Sequence, residues 1–226
     1  MKRRLFLISL AMTVALAGVA MPAEAAVEMF SADYGSAGSP VGLGTTEDLS
    51  LGKFDTSLGT LDSITIDLFS ENTVQSEIIN FTTGNLPYTS TSTTFADTVT
   101  ALNGLTTSVT ASAGPFSGTA SARSVTVDGS STPTSANSSA AVAPGDFPLY
   151  EGVGPQTFDV SVLVGEPFIE GSGACLAFAG LGSSYGSVEV IYSYASVPEP
   201  GTGWAGFAAS VFSGIWGFAR LRRSRA

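Results

Sequence analysis

Between residues 27 and 196 the apolar side chains recur at every second position, and no long stretch repeats every third or fourth. Ile64, Ile66 and Leu68 alternate with Thr65 and Asp67. Phe158, Val160, Val162 and Val164 repeat the pattern, as do Val188, Val190, Tyr192 and Tyr194. Successive side chains of a strand point to opposite faces, so this period predicts half-buried strands. Val125 and Val127 give a shorter strand, ended by an Asp128-Gly129 turn. Asn103-Gly104 predicts a hairpin between 99–102 and 105–109, because both residues accept the left-handed turn conformation. Ser70 to Phe81 carries Val74 and Ile78 four apart, but its β-branched and aromatic residues favour a strand. Many short strands with Gly, Ser and Pro turns predict an all-β fold: an antiparallel β-sandwich, jelly-roll-like, in one domain.

Two stretches interrupt this pattern. From Thr82 to Ser139, 27 of 58 residues are Ser or Thr. Within it, Thr89–Thr94 and Ser130–Ser139 read as loops, the second because Pro133 cannot donate to a ladder. The remainder suits strands with one solvated face, or a surface for glycosylation or polysaccharide.

Charge limits the partners. From Ala26 to Pro200 there are 18 Asp and Glu against Lys53 and Arg123, a net charge of −16. Such a surface repels nucleic acid and anionic headgroups and suits an extracytoplasmic domain. The chain has no histidine, which removes the Ser-His-Asp triad, the Cys-His pair and imidazole ligation of metal. It carries no Gly-rich phosphate loop with its lysine and no calcium-loop repeat, so neither cofactor nor metal is specified. The single cysteine, Cys175, lies among Ala174, Leu176 and Ala177 and is expected in the core. A glycoside hydrolase remains compatible, since it needs only two carboxylates across a groove. Phe147, Tyr150 and Phe168 are its available sugar platforms; the pairs Asp146 with Glu151 and Glu166 with Glu170 could lend oxygens to one cation site in a loop, with solvated surface the simpler reading.

Both ends of the chain read differently from its middle. Residues 1–25 have a basic start (Lys2, Arg3, Arg4), an apolar run and the small-x-small sequence Ala23-Glu24-Ala25, as in a secretory signal cleaved before Ala26. Export through the general secretory (Sec) machinery follows. Residues 26–196 form the ectodomain and 197–226 a tail. In the tail, 202–219 are eighteen uncharged residues, long enough as a helix (about 27 Å) to span a bilayer core. Trp204 and Trp216 stand near its ends, and Arg220, Arg222, Arg223 and Arg225 follow as a cytoplasmic stop. The span is rich in Gly, Ala and Ser, which let helices approach closely. Before it, Val197-Pro198-Glu199-Pro200 is held extended by its two prolines, an accessible shape for a processing enzyme.

Pro-Glu-Pro, an apolar span and a terminal arginine cluster, in that order, resemble the PEP-CTERM sorting signal of Gram-negative bacteria. The resemblance covers Val197 to Ala226 and implies recognition by an exosortase, a membrane-embedded transpeptidase-like enzyme, in systems that accompany exopolysaccharide production. A second stretch, Phe54-Asp-Thr-Ser-Leu-Gly-Thr-Leu-Asp-Ser-Ile-Thr-Ile66, resembles the opening of choice-of-anchor E domains, exported bacterial domains joined to various anchoring tails. That family brings no enzymatic activity. The joint expectation is a non-enzymatic surface or matrix protein, inserted by its tail, processed near Pro198-Glu199-Pro200, and structural or adhesive in a polymer layer. A carbohydrate-binding module is the second reading and a glycoside hydrolase the third.

Overall fold

The computed structural model describes residues 25–197. Twelve strands occur in chain order: β1 (Ala25–Tyr34), β2 (Val41–Gly42), β3 (Thr46–Gly52), β4 (Phe54–Asp55), β5 (Gly59–Asn80), β6 (Leu86–Thr100), β7 (Thr106–Ala120), β8 (Ser124–Ala141), β9 (Glu151–Gly152), β10 (Thr157–Val164), β11 (Phe168–Ser172) and β12 (Leu176–Ser196). Single 3-10 turns cover Leu102–Gly104 and Pro144–Asp146, and α1 (Phe147–Tyr150) is one helical turn. The all-β expectation holds. Among the described residues no helix is long and apolar enough to cross a membrane.

Two five-stranded antiparallel sheets carry the fold. The first runs β1-β12-β5-β8, with β2 continuing the β1 side of β12. The second runs β7-β6-β10-β3, with β11 beside the middle of β6 and β10 beside its end. Among the described strands only the two-residue β4–β9 ladder is parallel. The alternation read from the sequence is the inner face of these sheets. Ile64, Ile66 and Leu68 of β5 and Val188, Val190 and Tyr192 of β12 meet Phe158, Val160 and Val162 of β10 in one core. A smaller core of Ile78, Tyr88 and Ala120 lies toward the other end of β5.

β5 slips once, at Asp62-Ser63, and keeps strict alternation from Ile64 to Asn80, which decides the ambiguous stretch from Ser70 as strand. Its inward residues change character on the way: Ile64, Ile66 and Leu68 are followed by buried Ser70, Asn72 and Ser76. The Asn-Gly hairpin is present, with Asn103 and Gly104 both at positive φ (56° and 72°). Its loop is longer than a two-residue turn, closing where Ala101 N–H donates to the Leu105 carbonyl at 2.8 Å.

Four local expectations are overturned. Thr89–Thr94 lies within β6, and Ser130–Ser139 within β8. In β6 the polar composition hides a strand whose Thr91 and Thr93 point inward and are fully buried. In β8 the obstacle of Pro133 is avoided because β8 is an edge strand and bulges there. Thr134 pairs with Asn72 and Ser130 with Val74, so residues 131–133 stand outside the ladder. Asp128-Gly129 makes no turn. Both residues continue the ladder, opposite Ser76 and Gln75, and Gly129 takes φ 115° where the bulge begins. Cys175 is exposed, not core: it sits at φ 60° in the tight turn from β11 to β12, which turns its side chain outward.

Candidate functional site

The described ends of the chain are neighbours. Ala25 at the start of β1 pairs with Ala195 near the end of β12, and Ala26 with Tyr194. Beyond β12, the N–H of Val197 donates to the Leu58 carbonyl at 3.0 Å, while the Val197 side chain is exposed. Leu58 belongs to the stretch 54–66. There Asp55 Oδ1 accepts the Ser57 N–H at 2.9 Å, and the Asp55 carbonyl accepts the Leu58 N–H. This closed turn lets Gly59 start β5 against Ser196. A side chain at 59 would meet the Ala195 carbonyl, so glycine is required by contact. Of the residues expected to direct export and sorting, Ala25, Ala26 and Val197 therefore lie at one end of the first sheet. Ala23, Pro198, Glu199, Pro200, the 202–219 span and Arg220, Arg222, Arg223 and Arg225 lie outside the described residues.

The acidic pairs do not converge on metal chemistry. Among the described residues, no group of three or more Asp, Glu or Cys is placed to hold a metal ion. Asp146 accepts a hydrogen bond from Asn103 Nδ2 at 2.8 Å, closing the β6–β7 hairpin onto the turn before α1. Tyr150, offered as a sugar platform, is fully buried and packs edge-on to Phe158 with ring centroids 5.0 Å apart. Its size and apolar ring serve the core. Phe147 is half-buried against the same core, and Phe168 is exposed.

Sequence reasoning missed a polar node between the sheets. Tyr34 of β1, Ser70 and Asn72 of β5, Asp97 of β6 and Ser184 of β12 are all buried. Ser184 Oγ donates to Asp97 Oδ2 at 2.7 Å. Tyr34 Oη lies 2.6 Å from Ser70 Oγ, 3.2 Å from Ser184 Oγ and 3.5 Å from Asp97 Oδ2. One hydroxyl donates only once. Since Ser184 spends its proton on Asp97, Tyr34 is the donor toward that side. Burial pushes the Tyr34 hydroxyl up to about 12, so it keeps its proton at neutral pH. Burial also raises the Asp97 carboxyl, against the opposing pull of the Ser184, Ser70, Asn72 and Tyr34 groups that favour its charge. Asn72 approaches Asp97 closely enough to be felt electrostatically, yet neither its Nδ2 nor its Oδ1 completes a hydrogen bond. Two further hydroxyl pairs cross between the sheets, Ser76 with Thr93 at 2.8 Å and Thr107 with Ser138 at 2.7 Å. Part of the Ser/Thr-rich region is thus interior.

Beside this node a cavity of about 570 Å³ opens between β7 and β8, the outer strands of the two sheets. Asn72 and Val74 line its inner end and Thr132 and Thr134 its β8 side. The lining includes no Asp, Glu, Lys or Arg.

No protein-family model matches this chain, and no curated protein matches it. Among solved structures it is similar to T=1 particles derived from infectious bursal virus, at 10% identity over 79% of this chain, with a TM-score of 0.13. It is also similar to the D431N mutant of the VP2 protein of infectious bursal disease virus, at 9% identity and a TM-score of 0.13. The alignment spans 42% of each of those chains, and a likeness this slight bears on neither fold nor function.

Proposed function

We propose that this chain is the precursor of an exported surface or extracellular-matrix protein, sorted through its C-terminal PEP-CTERM-like tail and structural or adhesive in an exopolysaccharide layer. The observation that carries the reading is the sequence of the tail, three parts in a fixed order: Val197-Pro198-Glu199-Pro200, eighteen uncharged residues and four arginines in the last seven positions. Residues 1–25 direct export by the Sec machinery, and an exosortase-like membrane enzyme processes the tail. The body has no catalytic role and requires no cofactor. Its strand order supports a jelly roll: taking the eight long strands as 1 to 8, the sheets run 1-8-3-6 and 2-7-4-5. The exposed Val197 beside Leu58 supports an accessible exit from the domain into the processing segment.

A carbohydrate-binding role is favoured over a hydrolase by the cavity between β7 and β8, whose polar lining lacks the two carboxylates that glycoside hydrolysis uses. The deciding experiment is the intact mass of the mature protein from its host. The expected species starts at Ala26 and ends close to Pro200. A species retaining Arg220 to Ala226 overturns the sorting reading and leaves a plain single-span anchor.

A further inference from the structure

We infer that the cavity between β7 and β8 is a binding site for a neutral, hydroxyl-rich ligand, a segment of uncharged saccharide. This deepens the adhesive reading above and rests on it for the source of the ligand; the chemistry of the site stands on its own residues.

The cavity exists because both outer strands leave regular pairing at the same place. In β7 the register slips between Phe116 and Ala113, around Gly114 and Pro115. In β8 it slips at residues 131–133, after Gly129. Facing bulges on two sheet edges open a gap where flat strands would close it. Its volume, about 570 Å³, falls in the range of small-molecule sites, roughly 300–1,000 Å³.

The lining selects the ligand. Asn72 is 2% exposed, lines the cavity, and has both polar atoms of its carboxamide unpaired. A buried amide left in that state is costly, and a ligand able both to donate and to accept relieves it. Thr110, Ser112, Ser130, Thr132 and Thr134 add groups that also do both. A phosphate or carboxylate needs a cationic partner, and none lines the cavity. A metal ion needs anionic oxygens, also missing from the lining. A purely apolar ligand would leave Asn72 as it is. Saccharide hydroxyls meet the requirement in both directions, and the half-buried Phe116 offers an apolar wall to the C–H face of a ring. The exposure of Ser130 and Thr132 at the rim leaves room for a chain to continue outside.

The test is titration calorimetry of the full chain in a sugar-free detergent. The probes are trisaccharides of glucose, galactose, mannose and N-acetylglucosamine, with trigalacturonate as the charged comparison. The expected result is saturable binding of at least one neutral trisaccharide. Asn72→Leu should weaken it about tenfold, and its melting midpoint is read beside the binding because Asn72 also favours the charge on Asp97. Thr132→Trp, at the exposed rim, should abolish it by filling the gap, and it keeps the test decisive if Asn72→Leu misfolds. No binding of any neutral probe at millimolar concentration overturns the inference. So does binding of trigalacturonate alone, or binding that neither substitution changes. Binding of an extended peptide in the cleft while every saccharide fails also overturns it and makes the cleft a strand-docking edge. None of these outcomes alters the mature mass, which judges the sorting reading separately.

Discussion

Replacing Tyr34 by Phe removes one oxygen from the node between the sheets and almost nothing else, because the ring stays in place. Three contacts are lost, of unequal weight. The 3.5 Å approach to Asp97 is at the limit of a hydrogen bond, and the 3.2 Å contact to Ser184 is long for two hydroxyls. The 2.6 Å contact to Ser70 is a full bond. Ser184 keeps its 2.7 Å bond to Asp97, so the carboxylate is not abandoned. One good buried bond plus partial loss of a second gives a destabilisation of about 1–2 kcal/mol. At about 2–4 °C per kcal/mol for a domain of this size, the melting midpoint falls by about 2–8 °C. The two tryptophans, Trp204 and Trp216, lie in the tail, so unfolding of the domain is best followed by far-ultraviolet circular dichroism. The pH dependence gives a second, sharper reading. Asp97 has its carboxyl raised above its ordinary value of 3.8 by burial, so the folded state holds its proton more tightly than the unfolded state. That contribution to stability is full below 3.8 and is lost as pH rises through the folded value. Tyr34→Phe withdraws a donor from the ionised form, raises the carboxyl further and deepens the loss. The deficit of the variant relative to the parent should therefore be larger at pH 7 than at pH 3. An unchanged midpoint, or a deficit larger in acid, would refute the assignment of Tyr34 as donor to this node.

Other substitutions probe the fold and the exposed turn. Ile66→Ala empties a fully buried position facing both sheets and should cost about 2–5 kcal/mol in urea unfolding. Gly186→Ala places a methyl 2.0 Å from the Phe69 carbonyl, between the two longest strands, and should reduce or abolish recovery of folded protein. Cys175 should react with a maleimide in native buffer as fast as in denaturant, and Cys175→Gly should stabilise by about 1 kcal/mol because position 175 sits at φ 60°. Protection of the native thiol would return Cys175 to the core.

The parts of the fold legible in the sequence were those where inside and outside differ in polarity. Ile64 to Leu68, Phe158 to Val164 and Val188 to Tyr192 announced their strands because apolar residues alternated with polar ones. The strand containing Thr89–Thr94 did not, because its inward Thr91, Thr93 and Asp97 are as polar as their outward neighbours. Alternation carries no signal when both faces are hydroxylic. Pro133 misled for a related reason: proline excludes a central strand, but its meaning at an edge depends on sheet order, which sequence does not state. The polar node joins β1, β5, β6 and β12, residues up to 150 positions apart, and the cavity joins edges of two different sheets. Glycine and proline inside both β7 and β8 were the available hint, since such residues within a strand mark bulges.

The position of β12 bears on how such a domain would be held by its last residues. β12 has β1 on one side and β5 on the other, and its ladder with β5 extends from Leu176 to Ser196. Ladder bonds of antiparallel strands run across the strand direction. A load carried from Val197 along β12 and resisted near the far end of β5 therefore strains many bonds together. A load between Val197 and Ala25 acts on two neighbouring ends and opens the β1–β12 ladder one pair at a time. Single-molecule extension with handles at Thr83, just beyond β5, and Val197 should thus need a higher unfolding force than handles at Ala25 and Val197. Equal forces would show that the tail is not braced by the β5–β12 ladder. The difference in force follows from β12, last among the described strands, being laddered to β5 along its length.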